Sequence, residues 1–192
     1  MTDGAISNRP AEEKIIRLRL NELHLFKGYS ALNGIMPRNQ PYLVRDEDPS
    51  MVRLIARIKA RGVRQPALVR PDPEGGYEII DGHRRYRASE LSEHPDMPVI
   101  IRDLSDEEAV AEMVDGNVQR ENVLPSERAW AYRMYLEAEK KRAGRPAKNS
   151  PKFSANFRSD DEIGKSLGIS GDTLRNYIQL TELRQELMDK VD

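Results

Sequence analysis

Residues 76–88 combine a short β-branched segment, a glycine and three arginines in an order that suits the binding of phosphate groups. Tyr77–Ile80 is predicted to form a strand that ends at Gly82, and a helical pattern follows. A strand that turns through glycine into a helix directs unpaired backbone N–H groups and the positive end of the helix dipole to one point. The helix then supplies permanently charged guanidinium donors, at Arg84, Arg85 and Arg87.

The pattern differs from a P-loop, because no Lys-Ser/Thr pair follows the glycine. The arginines alone would also fit an exposed helix that makes surface ion pairs. The strand and the glycine directly before them favour a polyphosphate site. His83 lies where a phosphate would bind, and it could donate a hydrogen bond to that phosphate, cap the helix, or act as a base in a related enzyme. The three histidines of the chain do not have metal-ligand spacing, which argues against zinc.

The composition excludes several classes of protein. The 192 residues include no cysteine, which rules out disulfides, thiolate metal sites and a cysteine nucleophile and fits a reducing cytoplasm. No apolar run approaches membrane-spanning length, and residues 1–10 lack the apolar core of a signal peptide. The sequence therefore predicts a cytoplasmic protein without a membrane partner.

The net charge of −1 conceals an uneven distribution. Residues 140–159 carry seven positive charges and no acid, whereas residues 1–139 and 160–192 each have a net charge of −4. A basic segment between two acidic blocks is a candidate contact for the phosphate backbone of DNA, and a solvated flexible linker would have the same composition. The predicted backbone contacts are Arg142, Arg145, Lys148 and Lys152.

The predicted elements indicate an α+β protein, in which a small mixed β-sheet domain precedes an all-α domain. We predict a disordered tail over residues 1–13, the sheet domain over 14–115 and the helical domain over 116–192, with a basic linker at 140–159. The predicted strands are Ile15–Leu20, Pro66–Arg70, Tyr77–Ile80 and Pro98–Arg102.

Between the first two of these strands, residues 24–48 are rich in Gly, Pro and Asn and are predicted to form an irregular arm with scattered aromatic residues. The Asp48-Pro49 dipeptide then caps and begins a helix that Gly62 ends. A capping box at Ser105-x-x-Glu108 begins another helix, which we expect to end near Asp115.

A helix-turn-helix is predicted between about residues 160 and 180. Gly164 permits a close crossing of the two helices, Gly168 permits a left-handed turn, and Ser170 can cap the second helix. The apolar positions that would fill the core between the helices are Ile163, Leu167, Ile169, Leu174 and Tyr177. An ordinary helical hairpin uses the same core pattern, and the basic segment upstream favours DNA binding.

In a DNA-binding unit of this kind, the second helix enters the major groove with its N-terminal side chains toward the bases. Arg175 would prefer guanine, and Asn176 or Gln179 would prefer adenine. The predicted DNA contacts of this helix are Ser170, Thr173, Arg175, Asn176 and Gln179.

From about Lys14 to Asp192 the sequence resembles the ParB/RepB family of partition proteins. Gly62–Arg70 is similar to the first box of that family, Asp81–Ala88 to its arginine box, and Asn117–Ala129 to its third motif. The helix-turn-helix follows. Four motifs in this order make the resemblance specific.

The resemblance implies a ParB-like N-terminal domain that binds CTP with Mg²⁺, and a helical domain that recognises a centromere-like inverted repeat in double-stranded DNA. It also implies a homodimer that closes through the N-domains as a clamp, and a partner partition ATPase. Gln65 and Pro66 would face the cytosine, and Asn117 would help to hold the metal. The other residues of the implied nucleotide site are Gly82, His83, Arg84, Arg85, Arg87, Gln119 and Arg120.

The sequence departs from the family pattern at three places. The arginine box usually has Glu after its glycine, where this chain has His83, and the third motif usually has Glu before its asparagine, where this chain has Gly116. That glutamate is associated with metal binding and hydrolysis, so we expect at most weak CTP hydrolysis. The chain also ends at Asp192 without the family's C-terminal dimerisation region, which indicates a truncated chain or a protein that lacks this module.

Two other functions fit parts of the sequence. A helix-turn-helix transcription regulator would use the same DNA-binding unit without segregation. An ATP-using kinase or a sulfiredoxin-like reductase of the same N-domain superfamily would share the Asp81-Gly82-His83-Arg84 segment. The helix-turn-helix speaks against such an enzyme, as does the absence of cysteine for reductase chemistry.

Overall fold

The structure, a computed structural model, describes residues 13–29, 32, 35–36, 39–118, 120, 123–144, 160–183, 185–188 and 190–192. The predicted tail up to residue 12, most of the predicted basic linker, and Gln119 lie outside these residues. The strands are β1 (Ile15–Arg19), β2 (Leu23–Leu25), β3 (Ala67–Pro71), β4 (Tyr77–Asp81) and β5 (Asp96–Ile101). The helices are α1 (Pro49–Arg61), α2 (His83–Leu91), α3 (Asp106–Val118), α4 (Pro125–Gly144), α5 (Asp160–Ser166), α6 (Gly171–Leu180) and α7 (Gln185–Met188).

The five strands form one mixed sheet in the order β1-β5-β3-β4-β2. β1 pairs with β5 and β3 with β4 in antiparallel fashion, whereas β3–β5 and β2–β4 are parallel. Ile79 and Ile80 of β4 are both fully buried, and they belong to two different cores. Side chains alternate across a strand, so these neighbours mark the two covered faces of the sheet.

One core packs α1 and α2 against the sheet, around Met51, Ile58, Val69 and Ile79. The other contains buried residues of α3, α4, α5 and α6, and Ile80 joins it from the sheet. This is the predicted α+β class, with a sheet domain followed by helices. Within the described residues, no helix is long and apolar enough to cross a membrane.

The predicted arm contains more structure than its composition indicated. Leu23–Leu25 forms β2 and pairs with Tyr77–Ile79, although three residues are too few to show an alternating pattern. The aromatic residues of the arm are not scattered on the surface. Phe26, Tyr29 and Tyr42 are each no more than 8% exposed and belong to the helical core.

Two helix boundaries bear on the site. α1 begins as predicted, with the Asp48 side chain accepting from Ser50 N at 2.7 Å, and it ends at Gly62 with φ +68°. α3 begins at the predicted Ser105–Glu108 capping box and runs to Val118, past the expected end near Asp115. Because Gly116 is helical, the predicted boundary between residues 115 and 116 falls inside α3, and the division into domains stays a prediction.

Candidate nucleotide and nucleic-acid sites

The start of α2 has the geometry that phosphate binding requires. Gly82 is the N-cap residue with φ +106°, and a Cβ added there would lie 2.8 Å from the Ala67 Cβ, so both the conformation and the space demand glycine. The first helical hydrogen bond runs from Tyr86 N to Gly82 O at 2.9 Å. The three N–H groups before it, from His83 to Arg85, therefore point out of the helix start.

Arg84 is the box arginine whose charge is least compensated. Its Nη2 donates to Ser50 Oγ at 2.5 Å, and it forms no ion pair within 4 Å with any described carboxylate. Ser50 lies in the first turn of α1, so the guanidinium lies between the starts of two helices. Both helix starts favour negative charge, and Arg84 adds a cation beside them.

Arg85 joins the arginine box to the first box. Its Nη1 donates to Pro66 O at 2.8 Å and to Gln65 O at 3.3 Å, and its Nη2 donates to Asp81 Oδ2 at 2.6 Å. The Arg85 side chain is only 14% exposed. Arg85 therefore holds Gln65 and Pro66, which are predicted to face the base, next to the arginine box, which is predicted to face the phosphates.

Arg87 faces a carboxylate of the arm. Its Nε and Nη2 both donate to Asp46, at 2.7 Å for the shortest contact, and its Nη1 lies 3.4 Å from Glu90. The two acids raise the pKa of Arg87, and Arg87 in turn lowers the pKa of Asp46. In this conformation the ion pair between Arg87 and Asp46 links α2 to the arm.

His83 begins α2 with an unpartnered nitrogen. Its Nε2 is buried and has no hydrogen-bond partner in the structure, which is unusual because most buried polar atoms are paired. The pKa of His83 is lowered to about 4, mainly by burial, while Asp81 opposes this shift and Arg85 adds to it. The imidazole is therefore neutral at pH 7.

We expect the free energy of unfolding to decrease as pH falls from 6.5 toward about 4, because burial lowers the pKa of His83 from the ordinary histidine value of 6.5 to about 4 in the folded protein. As pH falls, His83 takes up its proton in the unfolded chain before it does so in the folded protein, so acid favours the unfolded chain throughout this window. The full contribution of His83 to the free energy of unfolding is about 3 kcal/mol. Chemical denaturation at pH 7 and 4.5 measures this. His83→Gln cannot titrate and should flatten the pH dependence; equal slopes in both proteins would contradict the assignment.

Asn117 and Arg120 of the third motif contact each other. Arg120 Nη1 donates to Asn117 Oδ1 at 2.8 Å, and Asn117 Nδ2 donates to Met113 O at 2.8 Å. Asn117 is buried in the last turns of α3. In the described part of the chain, no hydrogen bond or ion pair joins this pair to the arginine box. Gln119, which belongs to the same predicted nucleotide site, lies outside the described residues.

The predicted metal role of Asn117 rests on one amide oxygen, which already accepts from Arg120. Among the described residues, no group of three or more His, Asp or Glu side chains could hold a metal ion. Mg²⁺ needs six oxygen ligands and commonly takes several from phosphates and water. The residues present therefore fit a Mg²⁺ ion held mainly by a nucleotide.

A cavity of about 270 Å³ lies at the far end of β3 and β4, away from the arginine box. Its walls are already paired: Arg70 lies 2.6 Å from Glu78 and 2.9 Å from Asp106, and Lys27 lies 2.7 Å from Asp72. These ion pairs satisfy the charges that a ligand would use. The cavity is therefore lined by a network of surface ion pairs, and it is not part of the predicted nucleotide site.

Sequence reasoning missed three residues that position the site. Ser50 contacts Arg84, and Asp46 contacts Arg87. Glu127 accepts from Leu43 N at 2.8 Å and from Leu124 N at 3.2 Å, which fixes the arm against the start of α4. Ser50 and Asp46 lie close to the predicted Asp48-Pro49 helix start. No local sequence pattern, however, shows that this helix start packs against the arginine box.

The helix-turn-helix has the predicted internal geometry. Gly168 has φ +73°, and a Cβ on Gly164 would lie 2.9 Å from Ile169 O, so the left-handed turn and the close crossing are both present. The Ser170 side chain accepts from Thr173 N at 3.1 Å and caps α6. Ile163, Leu167 and Leu174 are buried, and Ile169 and Tyr177 pack against the same core.

The outer face of α6 exposes most of the predicted DNA contacts. Ser170, Arg175, Asn176 and Gln179 are exposed, whereas Thr173 is half-buried. Arg175 is paired with Asp172 at 2.5 Å and with Asp160 at 3.3 Å. A base contact would have to replace these acids.

The predicted basic linker lies mostly outside the described residues, including Arg145, Lys148 and Lys152. Arg142, in the last turn of α4, is described. Its side chain is 65% exposed and lies 3.4 Å from Glu139. An exposed pair of this kind is weak and does not prevent a phosphate contact.

A family model described as the ParB N-terminal domain matches residues 31–118. The chromosome-partitioning protein Spo0J of Thermus thermophilus is 29% identical over 161 residues, which are 84% of this chain and 53% of that protein. A probable chromosome 1-partitioning protein ParB of Deinococcus radiodurans is 32% identical over 146 residues, which are 76% of this chain and 44% of that protein. The chain thus spans about half the length of the curated relatives it matches.

Among solved structures, the C-terminally truncated ParB of Caulobacter crescentus complexed to the centromeric parS site has a similar fold. The TM-score is 0.53 at 22% identity, over 92% of this chain and 76% of that chain. Fold and matches together define a ParB-type N-terminal domain followed by a helical unit. Residues 31–118 belong to the ParB N-terminal domain family, and over most of its length the chain is similar to chromosome-partitioning proteins.

Proposed function

We propose that this protein is a CTP-regulated, sequence-specific DNA-binding protein of plasmid or chromosome partition. The observation that supports nucleotide binding most directly is the start of α2. There, three outward N–H groups and an obligatory glycine lie together with Arg84, which has no described carboxylate within 4 Å. Such a helix start binds polyphosphate through its dipole and its backbone donors.

The position of the first box supports the same proposal. Arg85 holds the carbonyl groups of Gln65 and Pro66 beside the phosphate-binding helix start. A nucleotide with its phosphates at Gly82 and Arg84 would therefore have this segment within reach of its base. The family resemblance supplies the choice of cytosine. His83 Nε2 would gain a partner from the bound nucleotide.

Arg87, Gln119, Arg120 and Asn117 complete the proposed site. Asn117 and Arg120 are hydrogen-bonded to each other, and no hydrogen bond or ion pair joins them to the arginine box in the described part of the chain, so a bound nucleotide would be the link between the two motifs. Mg²⁺ would be held by phosphates with Asn117 as a protein ligand. Gly116 offers no carboxylate for hydrolysis, so we propose CTP binding with weak turnover at most.

DNA recognition is assigned to α6 and the basic segment before α5. Exposed donors on a capped second helix suit the major groove, and cations before it suit the backbone. We further propose a homodimer through the N-domains, a partner partition ATPase and a cytoplasmic location on the nucleoid or a plasmid.

Calorimetric titration with each of the four ribonucleoside triphosphates, with Mg²⁺ and with or without DNA, tests the proposal. Selective CTP binding is expected. Selectivity for ATP would favour the kinase-like alternative. The absence of binding by any triphosphate would leave a helix-turn-helix regulator with a structural arginine box.

We expect Arg175→Ala to relax base specificity by about 1–3 kcal/mol if Arg175 contacts a base bidentately. The measurement compares affinities for a duplex selected from a random library and for random duplexes. Affinity for random DNA should change little, because a base contact adds nothing to non-specific binding. An equal loss on both duplexes would contradict a base-reading role.

A further inference from the structure

The solvent face of α1 carries three arginines that we name the α1 arginine stripe: Arg53, Arg57 and Arg61. They recur every fourth residue, so they lie on one face of the helix. The opposite face buries Met51 and Ile58 against the sheet. All three stripe residues are exposed.

The charge of this stripe is not compensated within the described residues. None of the three arginines forms an ion pair within 4 Å there, in contrast to Arg85 and Arg87 of α2. α1 contains no acid at all. Arg64, just beyond the end of the helix, is exposed and adds a further cation. Other arginines of the sheet domain, such as Arg17, Arg87 and Arg102, lie beside a carboxylate, so the acid-free stripe suits an external anion.

The spacing of the stripe suits a long, regular polyanion. Four helical residues advance about 6 Å, so the three guanidinium groups are anchored along about 12 Å of helix. Double-stranded DNA presents a continuous row of phosphates, and guanidinium groups bind phosphate oxygens in bidentate fashion. Ala56 and Ala60 lie between the arginines with small exposed side chains. No bulky residue on this face would keep a phosphate backbone away.

We propose that the α1 arginine stripe contacts the phosphate backbone of double-stranded DNA without reading its sequence. The stripe lies on α1, whose buried face packs in the sheet core, whereas α6 packs in the other core. It would give the N-terminal domain its own electrostatic contact with DNA. The inference rests on the proposed DNA-binding function and extends it to a second surface.

The test is the salt dependence of binding to a random-sequence duplex, for the full chain and its R53Q/R57Q/R61Q variant. We expect about tenfold weaker binding near 0.1 M salt and a log–log salt slope smaller by about 2 to 3, because each phosphate contact contributes about 0.9. Calorimetric CTP affinity should be unchanged. K59Q is the matched control: it removes an exposed cation of the same helix about 120° away from Arg53 and should leave the slope nearly unchanged.

R53K/R57K/R61K keeps the charge and should retain most of the affinity and the slope. An unchanged slope in the glutamine variant would overturn the inference, as would an equal loss in the lysine variant. Weakened binding to poly-glutamate with unchanged DNA affinity would identify an acidic protein partner instead. If the triple variant does not fold, R57Q alone decides, with an expected slope decrease of about 0.9. Failure of the unsubstituted chain to bind any duplex would overturn both the proposed function and this inference.

Discussion

Arg84→Ala should lower the affinity for CTP about 100-fold while the protein stays folded. Charge-assisted hydrogen bonds to a phosphate are worth about 1.5–3 kcal/mol, and this guanidinium forms no ion pair with a described carboxylate. Its loss therefore removes a cation from the phosphate site without leaving a buried acid unpaired. Calorimetry measures the affinity, and thermal melting verifies the fold.

Two neighbours provide the controls for this substitution. Ser50→Ala removes the hydroxyl that accepts from Arg84 but keeps the charge, so CTP affinity should change by no more than about 1 kcal/mol. Arg85→Ala should lower the melting temperature as well as the affinity, since it frees two backbone carbonyls and Asp81. Unchanged CTP affinity in Arg84→Ala would refute the phosphate assignment.

Local signals made much of the fold predictable. Short-range signals correctly predicted the N-cap of α1 at Asp48, its end at Gly62 and the capping box at Ser105. β2 was missed, because its three residues gain their structure from pairing with β4, more than fifty residues away. The predicted end of α3 near Asp115 is too early, because tertiary packing overrides a single weak helix former such as Gly116.

The candidate site was predictable in its residue types but not in its pairing. Spacing alone identified the three arginines of the box, and the structure distinguishes them by their partners. Arg85 and Arg87 have carboxylates beside them, whereas Arg84 donates to a hydroxyl and has no carboxylate within 4 Å among the described residues. Those partners come from the arm, from α1 and from β4, and no periodicity shows which of these segments meet. The helix-turn-helix was more predictable, because its glycines and cap act on near neighbours.

Gly164→Val should unfold the helix-turn-helix and abolish sequence-specific DNA binding. A Cβ at this position would lie 2.9 Å from Ile169 O and 3.0 Å from Gly171 N, and these are backbone atoms that cannot rotate away. We expect a destabilisation of about 3 kcal/mol, at the upper end for overpacking. The measurements are the melting curve and the affinity for a duplex selected from a random library.

Gly168→Asn is the matched control, because it changes the other glycine of the same turn without a steric clash. Gly168 has φ +73°, a Cβ added there would have open space around it, and asparagine tolerates this left-handed conformation better than most residues. We expect this variant to lose no more than about 1 kcal/mol and to retain specific binding. Since α2 packs in the other core, both variants should bind CTP like the unsubstituted chain. If Gly164→Val melted and bound DNA normally, or if both variants were equally damaged, the close crossing of α5 and α6 would not be what holds the DNA-binding unit together.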